Sequence, residues 1–259
     1  MRFYTSQLKD SKTDSSLLRL DLPAKYPNFL SGYSLGEFTY LCAFNSLLMI
    51  TVKTFVFNDF QTNTYVVSNS QQQCVIIDCA CQNVKEWQQL KDWLNKNQLK
   101  PVHVLLTHCH VDHVLGCHYL LNEYGIGYKT HPASKLFIDL ASEFSSVLKL
   151  PLEKIFPPEA YINEGDSIQI PGLMLKVIYT PGHADGSVCF YSEQEGIIFS
   201  GDVLFKDSIG RSDLPTGNFE KLKTSILEKL FVLPDDTVVY PGHGPTTTIG
   251  YERRNNPFI

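Results

Sequence analysis

Residues 50–57, 62–68 and 73–78 are rich in β-branched side chains and separated by polar turns, a pattern that predicts three successive strands. The period then lengthens. Val84, Trp87, Leu90 and Leu94 recur every three or four positions, as on one face of a helix, with Asn83 placed to cap it. A short apolar run predicts a strand over 102–107, followed by a helix over 112–123, a strand near 126–129 and a helical stretch over 132–149. Pro151, Pro157 and Pro158 mark a loop. Strands follow near 167–178, 187–191 and 196–205. A second amphipathic helix places Phe219, Leu222, Ile226 and Leu230 on one face, and 237–240 reads as the last strand. Strands that alternate with helices and also run in series predict a layered α/β or α+β domain.

The first 48 residues lack this patterning. They open on a polar stretch, pass through Pro23, Pro27 and Gly32, and hold one short apolar patch at 41–50. A secretory signal carries its apolar run near the start, so the patch is misplaced for one. The expected division is a dispensable N-terminal extension over 1–48 and a folded domain over 49–259.

Composition narrows the classes. With 259 residues, 43% of them hydrophobic and 19% charged, the chain is long enough and apolar enough to bury a substantial core. No apolar run reaches the roughly 18 residues of a membrane span. A net charge of −5 lacks the basic footprint of a nucleic-acid binder. The seven cysteines are odd in number and irregularly spaced, with Cys79-x-Cys81 the tightest pair. That is neither a disulfide framework nor a zinc ribbon, and predicts free thiols in a reducing, cytoplasmic setting.

The chemistry concentrates in Thr107-His108-Cys109-His110-Val111-Asp112-His113, after a predicted strand and before a predicted helix. Such a density of imidazole and carboxylate predicts metal ligation. In an extended turn, side chains two apart point the same way, so His108 and His110 can share one metal. Asp112 and His113, at the helix start, then face a second. Cys109 points away and packs. Further on, His183 lies in Thr180-Pro181-Gly182-His183 and His243 in Pro241-Gly242-His243-Gly244-Pro245, each directly after a strand. Asp202 ends another. Tight Gly/Pro turns at strand ends are common places for functional side chains. His103, His118 and His131 lie outside these motifs and read as structural.

This ordered series resembles the metallo-β-lactamase fold superfamily over residues 49–259. The resemblance implies an αββα sandwich, two mixed sheets flanked by helices, with metals at one sheet edge. It implies that His108, His110 and His183 hold one metal, that Asp112, His113 and His243 hold a second, and that Asp202 bridges both. Asp78, ending Val75-Ile76-Ile77-Asp78, matches a family aspartate that orients the ligands from behind. Two divalent ions, zinc foremost with iron or manganese as alternatives, would generate a bridging hydroxide near neutral pH to attack a carbonyl, and a metal would stabilise the oxyanion. Asp112 would also orient that hydroxide or take a proton. No GxSxG is present, and this chemistry needs no side-chain nucleophile.

The stretch Gly201-Asp202-Val203-Leu204-Phe205, with Gly210-Arg211-Ser212-Asp213 after it, resembles the hydroxyacylglutathione hydrolase (glyoxalase II) branch, and its short bacterial members in particular. In that branch a basic residue nine positions after the bridging aspartate grips glutathione. Arg211 holds the position here, and a guanidinium can take a carboxylate bidentately. Two family tyrosines that contact glutathione appear as Asp213 and Pro245. The chain continues 16 residues past His243, where the long enzymes add a helical domain that completes the glutathione pocket. Arg253 and Arg254 read as part of a solvated tail. The expectation is a cytoplasmic metal-dependent hydrolase of a small thioester, with no nucleic-acid or membrane partner. The same donors also fit a sulfur (persulfide) dioxygenase of the superfamily, with one Fe(II) on His108, His183 and Asp202.

Overall fold

A computed structural model describes residues 50–152 and 155–259; the expected extension over 1–48, with Cys42, lies outside the described residues. The first sheet is built from β1 (Thr51–Phe57), β2 (Thr62–Ser68), β3 (Gln73–Ile77), β4 (Lys100–Leu105), β5 (Tyr128–Thr130) and β6 (Ala160–Tyr161), neighbours in that order. β1 to β3 pair antiparallel, and β3 to β6 pair parallel. The second sheet holds β7 (Ser167–Ile170), β8 (Leu173–Tyr179), β9 (Val188–Ser192), β10 (Ile197–Gly201), β13 (Val238–Pro241) and β14 (Thr247–Thr248). Its order is β14-β13-β10-β9-β8-β7, with β10 and β13 parallel. A two-stranded ribbon, β11 (Leu204–Phe205) and β12 (Ser208–Ile209), follows β10.

Alternation along the strands decides the layering. Tyr65, Val67, Val75, Ile77 and Leu105 share one core with Val177, Val188, Phe190 and Phe199 of the second sheet. The intervening Val66, Ile76 and Val104 turn outward onto Trp87, Leu90 and Leu94 of helix α1 (Val84–Lys96). On the far side, Ile178, Cys189, Ile198 and Val239 pack against Leu222 of α6 (Phe219–Ser225), against Ile226 and Leu230 of its widened last turn, and against Ile249. The result is the expected αββα sandwich.

Several elements differ from the sequence reading, each for a local reason. The helix expected over 112–123 is two pieces, α2 (Val111–Val114) and α3 (Cys117–Tyr124). Gly116, between them, donates its N–H to the Cys79 carbonyl at 2.9 Å, and a Cβ there would come within 2.8 Å of the Cys79 thiol. The chain breaks its helix to press on that segment. The stretch 132–149 is likewise divided, into a single turn at Pro132–Ser134, α4 (Lys135–Asp139) and α5 (Ala141–Leu148). Strand 237–240 is not the last. It is followed by β14 and α7 (Ile249–Asn255), so Arg253 and Arg254 are not in a solvated tail: both pair with Asp235, at 2.7 and 2.8 Å. Val84 and Phe219 are exposed, so both amphipathic faces begin at the next apolar position. The six described cysteines are free and buried. Among the described residues no helix is long and apolar enough to cross a membrane.

Candidate metal centre

Five segments converge where β3, β4, β8, β10 and β13 end. Asp78, directly after β3, has a left-handed backbone (φ 54°) that turns its carboxylate under the end of β4. There it accepts from the Thr107 N–H at 2.8 Å, the Thr107 hydroxyl at 2.7 Å and His113 Nδ1 at 3.0 Å. Having given its proton to Asp78, the Thr107 hydroxyl accepts from His108 Nδ1 at 3.1 Å. One buried carboxylate therefore holds the Nδ1–H of both His108 and His113, and turns each Nε2 inward.

Three imidazoles meet on one side. His110 Nδ1 lies 3.1 Å from His108 Nε2 and 3.0 Å from His183 Nε2. The other nitrogen of His183 donates to the Arg211 carbonyl at 2.8 Å, and the His110 ring rests edge-on against buried Phe137. On the other side, Asp112 Oδ2 is 3.4 Å from both His113 Nε2 and His243 Nε2. Asp202 sits between the two sides. Its Oδ1 is 3.5 Å from His113, and its Oδ2 is 3.6 Å from His183 and 3.4 Å from His243. Gly242 is obligatory here, because a Cβ would fall on Asp202 Oδ1.

The sequence pattern of the metallo-beta-lactamase superfamily matches residues 57–243. The chain belongs to the metallo-beta-lactamase superfamily. It is 36% identical over 200 residues to a probable metallo-hydrolase, YqgX, of Bacillus subtilis, covering 77% of this chain and 92% of the relative. It is 33% identical over 202 residues to the hydroxyacylglutathione hydrolase GloC of Haemophilus influenzae, covering 77% and 93%. Among solved structures, a B3 metallo-beta-lactamase, BLEG-1, superposes with TM-score 0.74 at 36% identity, over 80% of this chain and 99% of that one. TTHA1623 in a di-iron-bound form superposes with TM-score 0.72 at 34% identity, over 80% and 100%.

The donor chemistry of this superfamily site fits cations. His113 Nε2 and Asp202 Oδ1 are buried without a hydrogen-bond partner, a costly state that a positive ion between them relieves. Donor atoms of His108, His110 and His183 lie within 4.8 Å of one another, as do those of His108, His113 and Asp202, and of Asp112, His113 and His243. Burial, reinforced by the neighbouring imidazoles, pushes His108 well below its ordinary value and His110 down to about 3. These rings are neutral, as ligands must be. Burial would also lower His113 and His243, but the Asp112 and Asp202 carboxylates outweigh it, raising His113 well above the usual range and His243 to about 10. Against their own burial penalty, the histidines hold Asp202 well below the usual carboxylate range and Asp112 at about 2. Protons thus collect on the side where the carboxylates gather negative charge.

All seven expected donors come together, with Asp78 behind them. Cys109 points away, to the Thr130 hydroxyl at 3.3 Å. The Arg211 side chain does not join the cluster. It is 67% exposed and gripped bidentately by Asp213, at 3.0 and 2.9 Å, while its backbone carbonyl holds His183. Several contacts had gone unread in the sequence: the Thr62 hydroxyl on Asp112 Oδ2 at 2.9 Å, the Phe60 carbonyl on His243 Nδ1 at 3.0 Å, and Asn63 bridging the Pro241 and Gly244 carbonyls. The polar turn between the first two strands was their one local signal.

Proposed function

We propose that the protein is a two-metal hydrolase of small thioesters, with zinc the foremost ion. The observation that carries this reading is the meeting of seven donors, with Asp202 Oδ2 lying between His183 at 3.6 Å and His243 at 3.4 Å. His108, His110 and His183 would hold one ion, Asp112, His113 and His243 the other, and Asp202 both. Similarity to the Haemophilus hydroxyacylglutathione hydrolase supports the substrate class. When bound, the ions supply Lewis acidity and a water made nucleophilic near neutral pH.

The chain's own residues do the rest. Asp78 and Thr107 hold the outer nitrogens of His108 and His113 and so aim the inner ones at the ions. Asp112, held as an anion, orients the attacking water or takes its proton. Phe137 fixes the ring of half-buried His110. Arg211 meets a substrate carboxylate at the rim, in exchange for Asp213. A small thioester, rather than nucleic acid, suits a chain of net charge −5.

The test is hydrolysis of S-lactoylglutathione by the full-length chain, with bound metal counted on the same sample. Turnover with about two ions per chain is expected. A fully loaded chain that leaves the thioester intact overturns the substrate reading. Oxygen consumption with a persulfide by a chain holding one Fe(II) would replace it with the dioxygenase.

A further inference from the structure

The two donor sets share Asp78, which holds His113 directly and His108 through Thr107, but their other braces come from different parts of the chain. His108 is oriented through Thr107 and Asp78, and His183 by the Arg211 carbonyl. The second set takes two of its three braces from the turn between β1 and β2 and the first residue of β2. Thr62, fully buried, donates to Asp112 Oδ2, the oxygen that also faces His113 and His243. Asn58 donates to the Asp112 carbonyl at 2.9 Å and to the Ala80 carbonyl at 3.1 Å. The Phe60 carbonyl accepts from His243 Nδ1, which turns Nε2 of that ring toward the cluster. Thr62 and His243 also form an isolated antiparallel bridge.

The turn is shaped for this task. Asn58 and Gln61 both have left-handed backbones, at φ 54° and 57°. Asn58 Oδ1 accepts from the Phe60 N–H at 2.9 Å and lies 3.2 Å from the Thr62 hydroxyl. The single Thr62 proton goes to the carboxylate, the shorter and charge-assisted of its two contacts. A carboxylate free to rotate about its own side-chain bonds would present either oxygen to an ion. With one oxygen held by Thr62, Asp112 presents a fixed face.

We infer that Thr62 is a positioning residue that sets affinity at the second metal position, held by Asp112, His113 and His243, independently of the first. This rests on the two-metal reading above. Losing a contact that orients a ligand typically costs about 10–100-fold in metal affinity. Thr62→Val keeps the β-branched shape and removes the proton; Thr62→Ser keeps the proton.

The experiment is a cobalt(II) titration of the metal-free full chain, following the ligand-field absorption band by band and the binding stoichiometry. The wild-type chain and T62S are expected to fill two positions. T62V is expected to fill the first with wild-type affinity and the second about 10–100-fold more weakly. The retained first position reports that T62V is folded. Equal weakening at both positions, or wild-type affinity at both, overturns the assignment. If T62V does not fold, Asn58→Gly, which suits the left-handed backbone, must show the same selective loss. A wild-type chain that saturates at one ion overturns the two-metal reading itself.

Discussion

Replacing Asp78 by asparagine removes a charge but almost no volume. The amide oxygen must stay where Oδ1 is, because the Thr107 N–H has no other acceptor there. The amide NH2 then occupies the Oδ2 position, facing the Thr107 hydroxyl and His113 Nδ1. His113 can meet it only by accepting at Nδ1, which moves the ring proton to Nε2, the atom aimed at Asp112 and Asp202. The Thr107 hydroxyl, no longer donating to residue 78, turns its proton to His108 Nδ1, and that ring flips its proton inward as well. Both donor sets lose a lone pair. At about 10–100-fold per altered brace, each affinity falls by about 1.4–2.7 kcal/mol. The stability cost is the exchange of charge-assisted bonds for neutral ones, about 1–3 kcal/mol, within the roughly 5–15 kcal/mol of a typical domain. D78N should therefore fold, and melt only several degrees lower without metal. Competition against a chelator of known affinity measures both ions. D78N that binds both ions as tightly as the wild type would refute the proton relay.

His110→Ala should abolish hydrolysis and lower the metal content, read by elemental analysis of the purified chain; full activity would remove His110 from the site. Asp213→Asn should free the Arg211 guanidinium and lower KM for a carboxylate-bearing thioester several-fold, while Arg211→Ala raises it, with kcat little changed in both. In the metal-free protein, His243 titrates near 10 rather than 6.5, so its attraction to Asp112 and Asp202 is fully present below pH 6.5 and is lost as pH rises toward 10. Melting temperature in chelator should fall across that window, and His243→Gln should flatten the slope. Metal affinity should rise across the same window, because the ion displaces that proton.

The first helix was legible because Trp87, Leu90 and Leu94 repeat at helical spacing and Asn83 caps it, accepting from the Glu86 N–H. The donor residues were legible because imidazole and carboxylate at strand ends carry chemical identity without any contact being known. What escaped reading depends on contacts between distant residues. Nothing near Gly116 announces that Cys79 lies against it, so the helix looked continuous. The C-terminal helix is anchored by Glu252, buried and accepting from the Thr247 hydroxyl, the Asn256 amide and the Asp207 N–H. Without those partners in view, its arginines looked like a tail. Thr62 reaches Asp112 across 50 positions, and Phe60 reaches His243 across 183. Neither pairing leaves a periodic trace in the sequence.

Both sheets are needed to complete the donor set. His108, His110, Asp112 and His113 follow a strand of the first, whereas His183, Asp202 and His243 follow strands of the second. A half-folded chain, with one sheet formed and the other loose, offers an ion only part of its coordination. Tight metal capture would therefore require the sheets to have docked. Ions held across both sheets would stabilise the docked layers by mass action, so chelation should make the chain easier to unfold and to cleave.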